Sequence, residues 1–333
     1  MKKYKVYGIG AALVDTEIKV EDSDLAAMGV EKGLMTLVDA GRQTELLEHL
    51  QGHMVKASHA SGGSGGNSMI ATAQFGGPTF MSCKVANDTD GDIYLADLEA
   101  AGVEHCLRGE REAGITGKCL VMITPDAERS MNTFLSISET LSVEQLDPEA
   151  IAQSEYVYLE GYLVTSPTGL SAAVKTREIA EASGVKTALS FSDPGMVEFF
   201  REGMAAIIGD KIDLIFCNEA EAKGWARTDD MEEAIEKLKL VANTFAITLG
   251  SEGAVTFDGE ELASIPPHKV EAVDTNGAGD MFAGAFLYAI TRGEDFPTAG
   301  RFASLAAGNV VSQFGPRLTA DEYPALRREF FGD

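Results

Sequence analysis

No apolar run in this sequence is long enough to span a bilayer. The longest, near 281–290, is about half of the ~20 residues a transmembrane helix needs. The stretch Met1 to Gly10 carries basic residues but no apolar core of signal-peptide length. Cysteine is scarce: Cys83, Cys106, Cys119 and Cys217 stand apart, with no CxxC pair. That spacing argues against structural zinc and a disulfide framework, and fits reduced thiols in the cytoplasm. The five histidines, His49, His53, His59, His105 and His268, show no metal-ligand spacing. Basic residues are few, 27 against 52 acidic ones, for a net charge of −25. Such a surface repels nucleic acid and anionic lipid, so neither is expected as a partner. It also repels a nucleotide, which would need help from helix N-termini, a divalent cation or single Arg and Lys residues. No GxxxxGK[ST] stretch occurs, which excludes a P-loop kinase. Gly8 to Leu13 starts like a dinucleotide-binding turn but has Leu13 where the third glycine belongs.

What the sequence does contain is an ordinary globular composition, 45% hydrophobic and 24% charged over 333 residues. That length suits one large domain plus a smaller unit, with ample core. Lys5 to Ile9 reads as a first strand; Ile18 to Val20 and Leu34 to Leu37 read as short strands around a polar excursion. Ser58 to Gly66 reads as a loop, followed by a helix from Asn67 to Phe75. Val103 to Leu107, Gly117 to Ile123 and Arg129 to Leu135 form a strand-rich patch with a turn at Pro125-Asp126. After Pro148, short apolar strands alternate with amphipathic helices, which predicts a parallel sheet covered on both faces. Gly253 to Phe257 and Glu261 to Ile265 read as an antiparallel hairpin on its edge.

Residues 274–280, Asp-Thr-Asn-Gly-Ala-Gly-Asp, run into the uncharged stretch Met281 to Ile290. A glycine-rich turn at a helix start offers free N–H groups and the positive end of the helix dipole, an anion site suited to phosphate. Gly277, Ala278 and Gly279 would supply the amides. Asp280, in the first turn, is a proton acceptor beside them, so the string points to phosphoryl transfer onto a hydroxyl. The same string also suits a plain helix start with a dipole-stabilised Asp.

This string, followed by Phe282, Gly284 and Phe286, resembles the signature of the ribokinase-like (PfkB) family of carbohydrate and nucleoside kinases. The resemblance implies a three-layer α/β sandwich with a mostly parallel central sheet, and a small β-sheet lid from segments at about 14–40 and 103–137 of the single domain 1–333. It implies ATP as donor, Mg²⁺, and in several members a monovalent cation such as K⁺ near Asp274 and Thr275. Gly62 to Asn67 resembles the family's N-terminal glycine motif, which places Gly62, Gly63 and Asn67 at the acceptor; Asn67 offers both a donor and an acceptor to vicinal hydroxyls. Asp15, read as following the first strand, matches an Asp that binds sugar hydroxyls.

Asn218-Glu219-Ala220-Glu221 resembles the family's NxxE motif, with Asn218 and Glu221 one helical turn apart and facing Mg²⁺ through water. The spacing also suits an Asn-capped helix. Thr248, Gly250 and Gly253 match the TxGxxG segment near the nucleotide. Arg129 would supply positive charge over the phosphates, and Asn309 joins the ATP-binding set. Met131, Phe134, Leu135 and Tyr162 offer an apolar slot for a base. The stretches at 32–39, 119–135 and 158–165 look most like adenosine kinase-type members, although Ala11 stands where those commonly carry Asn.

The expected activity is therefore phosphorylation of a nucleoside 5′-hydroxyl, adenosine to AMP in purine salvage, by a monomer or homodimer acting on small molecules. The alternatives are a sugar kinase for ribose, fructose or 2-keto-3-deoxygluconate, whose acid group Arg108, Arg111 or Arg129 would meet, and a non-catalytic nucleotide-binding relative.

Overall fold

The computed structural model describes residues 2–51, 59–107, 109–126 and 128–333. Its strands are β1 (Tyr4–Ile9), β2 (Leu13–Lys19), β3 (Met35–Leu37), β4 (His59–Gly62), β5 (Thr79–Ser82), β6 (Val103–His105) and β7 (Gly117–Ile123). They continue as β8 (Arg129–Phe134), β9 (Ser154–Glu160), β10 (Lys186–Ser190), β11 (Ile212–Asn218), β12 (Ala242–Thr248), β13 (Ala254–Phe257) and β14 (Leu262–Ile265). No helix among the described residues is long and apolar enough to cross a membrane.

Nine strands form the large sheet, in the order β14-β13-β12-β11-β10-β9-β1-β5-β6. All pairs are parallel except those made by β13, so the predicted edge hairpin is present. Alternation along each strand sends side chains to both faces. Val6, Leu214 and Phe216 pack on one face with the helices Ser64–Gln74, Ala278–Arg292 and Phe296–Val311. Tyr7, Ile9, Ile215 and Cys217 pack on the other, against helices that include Pro167–Ala182 and Met231–Val241. Both faces are covered, so the strands read as continuous apolar runs. The result is the three-layer α/β sandwich.

Five strands form the small sheet, in the order β3-β8-β7-β2-β4. On one face Ile18, Val20, Leu120 and Met122 pack with Leu25, Met28, Leu46 and Leu50 from the helices Asp22–Met28 and Ala40–Leu50. On the other, Ala11, Leu13, Cys119, Val121 and Ile123 form a second apolar layer.

Several boundaries differ from the sequence reading, for physical reasons. Asp15 lies inside β2, not after β1: the chain leaves β1 at Ile9 and starts β2 at Leu13, where it pairs with both β4 and β7. The loop expected at 58–66 is the strand β4 followed by a helix from Ser64; Ser58 lies outside the described residues. Small residues in β4 pair closely with β2, and glycine content alone concealed that. The polar excursion after Val20 contains the helix Asp22–Met28, opened by a capping box between Glu21 and Asp24. Val103 to His105 joins the large sheet, pairing in parallel with β5 after the helix Thr89–Ala100. That β–helix–β connection places it beside its predecessor. The small sheet thus excludes the start of the segment at 103–137 and gains 59–62.

Candidate active site

The carboxyl ends of β1 and β9 to β12, the start of helix Ala278–Arg292 and one face of the small sheet enclose a cleft of about 910 Å³. That is at the upper end for small-molecule sites and roomy enough for two ligands.

The phosphate-side wall is the 274–280 loop. Asp274, fully buried, accepts the N–H of Asn276 at 2.8 Å and of Gly315 at 3.0 Å, one on each carboxylate oxygen. It shapes the loop from behind and is not on the cleft wall, whereas Thr275 is. Gly277 caps the helix with φ of +73°, and a Cβ there would sit 2.3 Å from the Pro316 carbonyl oxygen, so only glycine fits. Ala278 N–H is satisfied by Thr275 O at 3.3 Å, while those of Gly279 and Asp280 have no acceptor among the described residues. A Cβ on Gly279 would meet nothing within 4 Å. The helix therefore presents unpaired donors to open space, the arrangement an anion needs.

Asp280 sits beside those amides, partly buried. It accepts from Ser64 Oγ at 2.6 Å and from Asn67 Nδ2 at 3.0 Å. Burial raises its pKa, opposed by those two hydrogen bonds and by the charge of Arg129. A raised carboxylate is a better proton acceptor for an alcohol.

The acceptor floor comes from the small sheet and helix Ser64–Gln74. Asp15 Oδ1 and Asn67 Oδ1 are both buried without a hydrogen-bond partner. Burial pushes the Asp15 carboxyl up to about 8; Glu17 adds to the rise and Arg317 opposes it. Gly62 is not on the cleft wall; its bare Cα makes room for Asp15, since a Cβ there would be 2.1 Å from Asp15 Cγ. Gly63 lines the cleft directly. Ala11, in place of the Asn of the resemblance, also lines it and donates its N–H to Glu160 Oε2 at 2.6 Å. Above the floor, Leu13, Met35, Cys119, Met131, Leu135 and Tyr162 form an apolar slot. Phe134 does not contribute: Met131, Thr133 and Leu135 alternate onto the cleft, and period-two geometry turns Phe134 away.

The opposite arm is lined by Thr248, Gly250 and Gly253, with His268, Val270, Ala307, Gly308 and Val311 closing a second, mostly apolar recess. Asn309 is off this wall. Ser304, Ala307, Gly308 and Val311 form the facing stripe of their helix, and Asn309 turns its amide back onto Leu305 O at 2.9 Å. Arg129 lines the cleft between the arms, its buried Nε without a partner. Asn218 and Glu221 form a capping box, Asn218 Oδ1 accepting from Glu221 N at 2.8 Å and Glu221 Oε2 from Asn218 N at 2.9 Å. Both also line the cleft. Burial pushes Glu221 up to about 7, so a cation nearby would relieve a costly charge. Of the arginines considered for an acid substrate, Arg108 lies outside the described residues and Arg111 pairs with Asp92, away from the cleft.

Several polar wall residues escaped the sequence reading, among them Ser64, Glu160, Ser190, Ser192 and Lys269. Ser64 was hidden among glycines. Glu160 is buried, with its carboxyl pushed up to about 8 by that burial. Its signal was legible: an acid ending the apolar run Tyr156 to Leu159 at the carboxyl end of a strand, where α/β sheets bind ligands.

Known proteins resemble this chain over most of its length. Residues 33–322 match the pfkB family carbohydrate kinase. An adenosine kinase of Schizophyllum commune is 27% identical, over 96% of this chain and 98% of its own. The crystal structure of adenosine kinase from Sinorhizobium meliloti is 35% identical, with a TM-score of 0.92 over 98% of this chain and 99% of its own. That of a probable sugar kinase from Rhizobium etli is 33% identical, with a TM-score of 0.93 over 99% of both chains.

Proposed function

We infer that this chain, which belongs to the pfkB family of carbohydrate kinases and is a phosphotransferase with an alcohol group as acceptor, transfers the γ-phosphoryl of ATP to the 5′-hydroxyl of adenosine, giving AMP and ADP. The observation that carries the reading is the facing pair of walls: unpaired N–H groups at Gly279 and Asp280 on one side, and unpaired buried oxygens of Asp15 and Asn67 on the other. A phosphate matches the first. A ribose diol, bringing two hydroxyl donors, matches the second. The apolar slot from Leu13 to Tyr162 suits a base, which a bare sugar would leave unfilled.

In this mechanism Asp15 and Asn67 fix the ribose with its 5′-oxygen toward Asp280. Asp280 takes the hydroxyl proton as the new O–P bond forms and the bond from the γ-phosphorus to its bridging oxygen breaks. The Gly279 and Asp280 amides and Arg129 stabilise charge on the equatorial oxygens. Thr248, Gly250, Gly253 and the recess around Val311 hold the nucleotide. Glu221 and Asn218 would hold Mg²⁺ through its waters; when bound, the ion neutralises phosphate charge that the acidic surface cannot.

An acceptor panel tests the assignment, with adenosine, inosine, guanosine, ribose, fructose and 2-keto-3-deoxygluconate offered with ATP and Mg²⁺. Adenosine should give the highest kcat/KM. Preference for a bare sugar would leave the phosphotransferase standing and overturn the nucleoside.

A further inference from the structure

The segment Gly315-Pro316-Arg317 lies off the cleft wall yet grips both of its functional sides. On the phosphate side, Gly315 N–H bonds Asp274, whose other oxygen holds Asn276, and the Pro316 carbonyl oxygen occupies the space a Gly277 Cβ would need. On the acceptor side, Arg317 Nη2 donates to Asp97 Oδ2 at 2.7 Å and Nη1 to Ser61 Oγ at 3.2 Å. Asp97 also accepts the Ser61 backbone N–H at 3.1 Å and its hydroxyl. Ser61 precedes Gly62 in β4, and the two residues pair with Val14 and Leu13, next to Asp15 in the same register. Gly62 is the residue against which Asp15 packs.

We propose that Arg317 is a positioning residue that holds the acceptor floor at a fixed distance from the phosphate-binding loop. The chain of contacts runs from Gly277 through Pro316 and Arg317 to Ser61, Gly62 and Asp15. Asn67 is tied to Asp280 directly, but Asp15 stands on the small sheet, a different element from the helix Ala278–Arg292 that binds the phosphate. Their separation needs a strut, because a misplacement of about 1 Å can cost up to ~10²-fold in rate. The guanidinium suits that role: its planar fork serves a carboxylate and a hydroxyl together, which a lysine ammonium does with less geometric control. Its side chain is only 14% exposed, so solvent weakens the grip little. Because Asp274 braces the loop independently of the Arg317 side chain, loss of that side chain should fall on the acceptor.

The proposal rests on the assignment of the two walls made above. It is tested by steady-state kinetics of Arg317→Met, Arg317→Lys and the double variant Arg317→Met/Asp97→Asn, with the best acceptor of the wild-type panel. Arg317→Met should raise the acceptor KM and lower kcat, each by about tenfold, with the ATP KM within about twofold. Arg317→Lys should recover part of the loss. The double variant leaves no unpaired carboxylate if the single one folds poorly, and it should match Arg317→Met rather than multiply its effect. A lower melting temperature with unchanged acceptor KM and kcat, or parallel rises in both KM values, would overturn the proposal. A wild-type protein that phosphorylates no acceptor would instead overturn the reading of the cleft.

Discussion

Replacing Asp280 by asparagine tests the proton acceptor with little change in shape. In the wild type, one carboxylate oxygen takes a 2.6 Å bond from Ser64 and the other a 3.0 Å bond from Asn67. The carbonyl oxygen of the introduced amide can keep the first. Its NH₂ group can meet Asn67 Oδ1, which is buried and unpaired, if the Asn67 amide turns over. The variant should therefore fold. It should also be no less stable, because burial disfavours the ionised carboxylate there and the substitution removes that charge. What it loses is the base. We expect kcat to fall by about 10²–10⁴, or ~2.7–5.4 kcal/mol at ~1.36 kcal/mol per tenfold. The remaining rate comes from the amides, Arg129 and Asp15, which stay in place, while the turned Asn67 presents its Nδ2 instead of Oδ1 to the acceptor. The assay is AMP formation followed by chromatography, with KM for each substrate and a thermal midpoint measured on the same preparation. A kcat within about threefold of wild type would refute the assignment of Asp280, whatever the acceptor KM.

Asp15→Ala should raise the acceptor KM about 10–100-fold, the worth of a charge-assisted hydrogen bond, and leave the ATP KM nearly unchanged; equal losses for both substrates would place Asp15 elsewhere. Arg129→Met should lower kcat by about 10²-fold and weaken ATP more than adenosine, as isothermal titration of each ligand would reveal, and a selective loss of adenosine binding would contradict its phosphate-side role. The pH dependence of ligand-free stability follows from Asp15 and Glu160 near 8 and Glu221 near 7, all raised by burial. The folded state then holds more protons than the unfolded one between about pH 4 and 8, so their contribution is fully present below about pH 4, declines across that range and is gone above about pH 8. The melting temperature should fall over that interval, less steeply in Asp15→Asn/Glu160→Gln; an identical slope in the variant would remove these groups as its cause.

Legibility of the site tracked how local each element is. The 274–280 string carries its chemistry in consecutive residues, because a helix start, its free amides and its first-turn acid are one local object. The same holds for Thr248 to Gly253 and, less cleanly, for Asn218 and Glu221, whose spacing serves a helix cap and a cleft wall together. Residues on a strand were harder. Met131, Phe134 and Leu135 were grouped by composition, and only the pairing of β8 with β3 and β7 decides which of them face the cleft. Asn309 failed for the corresponding reason on a helix, where one position around the axis separates the lining stripe from its neighbour.

The class of chemistry and the layered α/β architecture are written in local pattern. Periodicity is set by the 2.0 and 3.6 residue repeats of the backbone, and an anion site at a helix start needs no distant partner. Tertiary structure alone decided what meets Asp280. Ser64 and Asn67 lie more than two hundred residues away along the chain, and Asp15 reaches the cleft only because the chain leaves the large sheet after β1 and pairs β2 with β4 and β7. Strand partnership and burial arise from long-range packing, which local pattern does not encode. For that reason the unpaired oxygens that select the acceptor, and the strut through Arg317 that aligns it, emerge only in the folded chain.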